Sequence, residues 1–127
     1  MTLSRRHFVM GSTALALAAP ASIGRAASDN LKFASILDLS GGLDIYGAAM
    51  AVTTKLAIED INAAGGLLGR EVELQMYDAQ STIQFYTQYA TQAAAGDKAD
   101  TVHGGITSAS REAIRPTLAR FKTLYFY

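Results

Sequence analysis

The chain has 127 residues, 50% of them hydrophobic and 17% charged, with two prolines, a composition that excludes disordered and collagenous classes and leaves an ordinary globular protein. The absence of cysteine excludes disulfides and thiolate-held metal, and two distant histidines, His7 and His103, give no metal-ligand spacing, so neither a metal nor a cofactor is expected. Acids and bases balance at a formal net charge of zero, and without a Lys/Arg stripe the chain lacks the electrostatic footprint for nucleic acid.

The N-terminus is laid out for export. Arg5 and Arg6 precede an unbroken stretch of apolar and small residues over 8–19, and Gly24-Arg25-Ala26 supplies a small-residue end; these are the three parts of a cleavable secretory signal. The stretch is too short to span a bilayer and meets Pro20, so no stable membrane insertion is expected after cleavage behind Ala26. Ser4-Arg5-Arg6-His7-Phe8-Val9 resembles the twin-arginine signal, which carries folded cargo to the periplasm. Removing residues 1–26 takes three arginines and no acid, which leaves eight basic and eleven acidic side chains and a net charge of −3 on a lobe of residues 27–127.

In that lobe, residues 32–37 form a short apolar run with Gly41-Gly42 behind it, which suits a buried strand. Helix formers follow over about 46–64, with Ala49, Leu56, Ala57, Ile61 and Ala64 predicted as the inward stripe and Ile58 outside it. Gly65-Gly66 stops this helix, and residues 71–78 alternate polar with apolar as a strand does. A second helix is predicted over 83–95, ending at Gly96, and a very short strand over 101–103 leads into Gly104-Gly105. Residues 107–110 open a third helix with Ile114, Leu118 and Phe121 at helical spacing; Pro116 predicts a kink or a late start, and residues 124–127 a final strand.

Strictly alternating strands and helices imply right-handed crossovers and a Rossmann-like, three-layer α/β fold with a parallel sheet. In the flavodoxin-like order 2-1-3-4-5 a crevice opens at the carboxyl ends of the first and third strands. The loops bounding it, residues 40–47 and 104–110, are the richest in Gly and Ser, and each precedes a helix N-terminus that favours carboxylate or carbonyl groups. Ser108 and Ser110 suit helix capping as well as ligand contact, and Tyr46 suits a packing staple as well as a ligand wall. His103 reads as a strand residue. The stretch 65–71 lacks the Lys-Ser/Thr ending of a phosphate loop, and Ser108 stands outside any G-x-S-x-G elbow. Asp38 is placed like the phosphoacceptor of a receiver domain, a role that export would deprive of its phosphodonor.

The motifs Ser40-Gly41 with Tyr46-Gly47, the long run Ala57-Ile58-Glu59-Asp60-Ile61-Asn62-Ala63-Ala64-Gly65-Gly66-Leu67-Leu68-Gly69-Arg70, Asp78, and Thr107-Ser108-Ala109-Ser110-Arg111 resemble the type I periplasmic solute-binding proteins of the branched-chain amino acid, urea and short-chain amide group. The resemblance covers residues 31–127. It implies the first lobe of a two-lobed clamp, incomplete at its C-terminus, that captures a small polar solute and delivers it to the membrane permease of an ABC transporter. It further implies ligand-binding roles for Ser40, Tyr46, Thr107, Ser108 and Tyr127, with Ser108 as the hydroxyl donor, and no catalytic residue. Thr107 to Arg111, Pro116 and the Phe126-Tyr127 ending are most similar to the urea and amide branch, although Ile106 stands where some amide binders place a polar aromatic. Two other functions fit part of the pattern: a ligand-sensing regulator built on the same lobes, and an exported hydrolase using Ser108.

Overall fold

The computed structural model describes residues 30–127; the signal segment, its twin-arginine motif and its cleavage point lie outside the described residues. Strands and helices alternate as β1 (Leu31–Leu37), α1 (Asp44–Ala63), β2 (Val72–Asp78), α2 (Ile83–Thr91), β3 (Thr101–Gly104), α3 (Ser108–Phe121) and β4 (Leu124–Phe126). The sheet order is β2-β1-β3-β4 and every pairing is parallel. This is the α/β architecture that the alternation predicted.

Strand periodicity divides the sheet into two faces. Ala34, Ile36 and Val102 point to one face, where they form the core with Tyr86 and Ala90 of α2 and Ile114 and Leu118 of α3. Phe33 and His103 point to the other, toward Ile58 and Ile61 of α1, around an apolar groove. Because β1 is paired on both sides and covered on both faces, Ser35, Ile36 and Leu37 are fully buried. A continuous apolar run is what such a central parallel strand requires.

The inward face of α1 differs from the predicted stripe. Gly47, Ala51 and Ile58 are buried, whereas Ala49, Ala57 and Ala64 are exposed and Leu56 is 57% exposed. Small and apolar residues surround this helix, so periodicity barely distinguishes its sides. Contacts choose the face instead. Gly47 lies on the backbone of Asp38 so closely that a Cβ would overlap the Asp38 carbonyl oxygen. At the other end the Asn62 amide exchanges two hydrogen bonds with the backbone of Val72, at 2.8 and 2.9 Å.

Three smaller differences have local causes. α2 continues into a π-helical turn, Gln92–Gly96, after which the Ala99 amide bonds to the Ala93 carbonyl and the chain enters β3. α3 begins at Ser108 and runs through Pro116 without interruption, so the late start does not occur. Phe121, predicted on its inner face, is 42% exposed at the last turn, where Lys122 takes the left-handed conformation that ends the helix.

Substituting Gly47→Ala is expected to destabilise the protein by about 3 kcal/mol through this overlap. Gly42→Ala, where a Cβ would meet open space, is expected to change stability by less than about 0.5 kcal/mol. Urea unfolding midpoints of the two variants test the contrast.

Candidate functional site

Parallel pairing brings the carboxyl ends of all four strands to one side of the sheet. The register sets Leu37 beside Asp78 and Ile36 beside Gly104, so the loops after β1, β2 and β3 lie next to one another. Two carboxylates organise the first of these junctions. Asp38 is fully buried; its oxygens accept from the Ser81 amide at 2.7 Å and from the Tyr86 hydroxyl at 2.5 Å. Burial, then the bond to Asp38, pushes the Tyr86 phenol well above its ordinary range, so Tyr86 remains a donor.

Asp78 ends β2 and gathers four donors: the amides of Leu39, Ser40 and Gln80 at 2.9, 3.1 and 3.0 Å, and the Ser40 hydroxyl at 2.7 Å. Burial acts to raise its pKa, but the bonds from Ser40, Gln80 and Leu39 together outweigh burial and hold it below the usual carboxylate value. Ser81 completes the tie, its hydroxyl accepting from the Leu43 amide at 2.9 Å just before α1. The Ser40 proton is therefore committed to Asp78. Tyr46 stands on the first turn of α1, not in the loop, with 58% of its surface exposed and its hydroxyl unbonded.

The loop after β3 is built differently. Gly105, at φ +81°, is buried, and its amide donates to the Ile36 carbonyl at 3.1 Å. Thr107 is the N-cap of α3: its hydroxyl accepts from the Ser110 amide at 3.1 Å, and the buried Ser110 hydroxyl accepts from the Ile106 and Thr107 amides at 3.1 and 3.0 Å. This is a capping box with serine in place of the usual acid. Thr107 and Ser110 thus share the capping, and Ser108 takes no part in it. The Ser108 side chain is exposed, and among the described residues neither its hydroxyl nor the amides of Ser108 and Ala109 in the open first turn have a hydrogen-bond partner.

Tyr127 reaches back from the end of β4 to the same loop. Its hydroxyl donates to the Ile106 carbonyl at 3.1 Å, and the Arg111 guanidinium lies 5.1 Å over its ring. The structure therefore brings Thr107, Ser108 and Tyr127 around one loop, sets Ser40 on the neighbouring loop, and leaves Tyr46 on the helix beyond it. His103 is elsewhere: it faces Ser35, Nδ1 to Oγ 3.4 Å, beside the Phe33 ring, and burial lowers its pKa. Among the described residues no group of acidic, histidine or cysteine side chains is arranged to hold a metal ion.

Asp38, Ser81, Tyr86 and Tyr125 carry no local sequence signal for the parts they play here. Each acts on a residue more than twenty positions away along the chain. Only Asp78 stood within a recognisable motif, and the motif did not disclose its four donors.

A parallel β2-β1-β3-β4 sheet with helices on both faces is the α/β architecture of the first part of the type I periplasmic binding proteins. The family described as "Periplasmic binding protein" matches residues 30–127, and the chain belongs to it. It is similar to a Leu/Ile/Val-binding protein homologue of Brucella abortus, 37% identical over 79 residues that make up 62% of this chain and 19% of the relative. Among solved structures it is similar to the branched-chain amino acid transporter substrate-binding protein LivJ of Streptococcus pneumoniae in complex with isoleucine, at 27% identity and a TM-score of 0.74, covering 76% of this chain and 28% of that one. The leucine-binding protein LivK of Thermotoga maritima is similar at 27% identity and a TM-score of 0.68, covering 75% and 26%. The chain thus spans about a fifth of the curated relative and a little over a quarter of the solved proteins.

Two outcomes follow from this geometry. Because Asp78 has a lowered pKa when folded, its contribution to stability is complete above the ordinary carboxylate value near 3.8 and is lost as pH falls through the lower folded value. The stability gap between the protein and Asp78→Asn is expected to be largest near neutrality and to close below about pH 4, as read by denaturant titration across pH. Ser110→Ala is expected to cost about 1–2 kcal/mol, and Ser108→Ala less than about 0.5 kcal/mol, because only the first breaks the cap; thermal unfolding of both variants measures the difference.

Proposed function

We propose that the complete protein is the extracytoplasmic substrate-binding component of an ABC transporter, exported by the twin-arginine route, and that the loops after β1 and β3 take the carboxylate end of a small solute of the branched-chain amino acid type. The observation that carries this reading is the division of labour at the start of α3. Thr107 and Ser110 satisfy the cap between them, so the Ser108 hydroxyl and the amides of Ser108 and Ala109 remain as three unengaged donors at the positive end of the helix dipole. A carboxylate accepts from all three without displacing any bond of the fold. The relatives named above, a Leu/Ile/Val-binding protein homologue, an isoleucine-bound receptor and a leucine-binding protein, support such a ligand.

In this reading Ser108 donates to the ligand, Thr107 holds the loop through its cap, Ser40 keeps its lone pairs for the crevice while its proton stays on Asp78, and Tyr127 and Tyr46 wall the rim. A second lobe closing over these loops would bury the ligand and exclude water, after which a membrane permease receives it. The chemistry is reversible capture. A hydrolase would need a base beside Ser108, and His103, the one histidine among the described residues, is turned to Ser35.

Calorimetric titration of the complete mature protein with leucine, isoleucine, valine, urea and acetamide tests the reading. Saturable binding of a branched-chain amino acid, weakened about tenfold by Ser108→Ala, is the expected result. Binding of urea or acetamide instead would move the solute class to the amide branch, and affinity indifferent to Ser108→Ala would remove the ligand from the start of α3.

A further inference from the structure

α1 carries a second apolar stripe that the fold does not use. Gly47, Ala51 and Ile58 turn inward to the sheet. At 3.6 residues per turn, Ile45, Ala49, Val52 and Leu56 fall on the opposite side of the helix, along the line farthest from the sheet. All four are exposed, Ile45 by 75%, Val52 by 66% and Leu56 by 57%. An amphipathic surface helix places its charged residues on that line. Here Asp44 and Lys55 stand beside it instead, both exposed and both on one flank. The successive steps of four, three and four residues are those of a coiled-coil seam. α1 lies over β1 and β2, and the bare part of that sheet face is to its side, above β3 and β4, where Leu124 and Phe126 are exposed. An element covering those residues would meet the flank of α1 and leave its outermost line in water.

We propose that this stripe is an interface between two copies of the chain, their α1 helices packed antiparallel about a twofold axis near Met50 and Ala51. In that register Ile45 meets the partner's Leu56 and Ala49 meets the partner's Val52, so the stripe is complementary to itself, as a twofold contact requires. Lys55, the one cation of α1, comes within a turn of the partner's Asp44, and by symmetry Asp44 comes within a turn of the partner's Lys55. Opposite charges therefore cross the seam twice. Glu59 runs on to the start of the partner's helix, whose free amides favour an acid. Burying the stripe removes three large apolar side chains of each copy from water, which drives the association. The contact is independent of the solute, because no ligand takes part in it.

Sedimentation velocity of the complete mature protein from about 1 to 200 μM tests the proposal. A seam of three helical turns is small for an interface, so a reversible dimer with a dissociation constant in the micromolar range is expected. Val52→Glu, which sets a charge against the middle of the partner's stripe, is expected to weaken it at least tenfold. Asp44→Lys and Lys55→Asp are each expected to weaken self-association by about threefold or more, and an equimolar mixture of the two to associate again, since both crossing pairs are then opposite in charge. All three substituted side chains are exposed, so these variants read the contact and not the fold. A protein that stays monomeric up to the highest concentration overturns the proposal; lowered thermal stability of Val52→Glu would then give the stripe to the remainder of the chain. A dimer that survives Val52→Glu also overturns it, because the contact lies elsewhere, and a mixture that does not re-associate overturns the antiparallel register.

Discussion

A fully buried carboxylate at the end of the central strand is the constraint from which the rest of this lobe follows. Desolvating an unpaired charge is prohibitive, so Asp38 must be met by donors, and the two that meet it come from the loop after β2 and from the middle of α2. Satisfying Asp38 therefore fixes where the second crossover begins and how α2 lies on the sheet. The backbone of the same residue receives Gly47, which settles the position of α1 on the opposite face. One residue thus registers both helical layers against β1.

The neighbouring carboxylate extends this order to the loop after β1. Asp78 holds two amides and a hydroxyl from the loop after β1, together with an amide from its own. A loop rich in glycine and serine has much conformational freedom to lose, and multiple bonds to one ionised group are an effective way to remove it. The loop after β3 reaches the same end without a charge, through Gly105 on the Ile36 carbonyl, a reciprocal Thr107–Ser110 cap and two phenols from β4. The bounding loops are rigid by different means. Both are ordered by the protein's own groups.

This arrangement also explains why serine and threonine close together at one helix start do different work. Ser110 is buried and reaches back to amides of the preceding loop, Thr107 precedes the helix and caps it, and Ser108 between them is directed outward. Spacing alone allowed Ser108 or Ser110 to cap or to contact ligand; three-dimensional position gives the cap to Thr107 and Ser110. Phe33 and His103 show the same dependence in the other direction, since their place on β1 and β3 assigns them to the face of α1.

The order of elements was legible because it depends on local signals: apolar runs of strand length, helix formers between glycines, and Gly-Gly or Thr-x-x-Ser at the junctions. From that order the parallel α/β sheet follows by the handedness of crossovers, and the loops at its carboxyl end follow from the strand order. The resemblance carried by residues 57–70 and 107–111 pointed to the family that the match over residues 30–127 shows. The buried face of α1 was not legible, because a helix apolar on nearly every side has no preferred side until Gly47 and Asn62 find their partners. Nor were the parts played by Asp38, Asp78, Tyr86 and Tyr125, whose partners are distant in the chain and adjacent only in the folded sheet. By itself the sequence determined which elements form and in what order, since these are set within a few residues; the tertiary structure alone decided which polar groups are consumed by the fold and which stay open, because hydrogen-bond satisfaction is a property of neighbours in space.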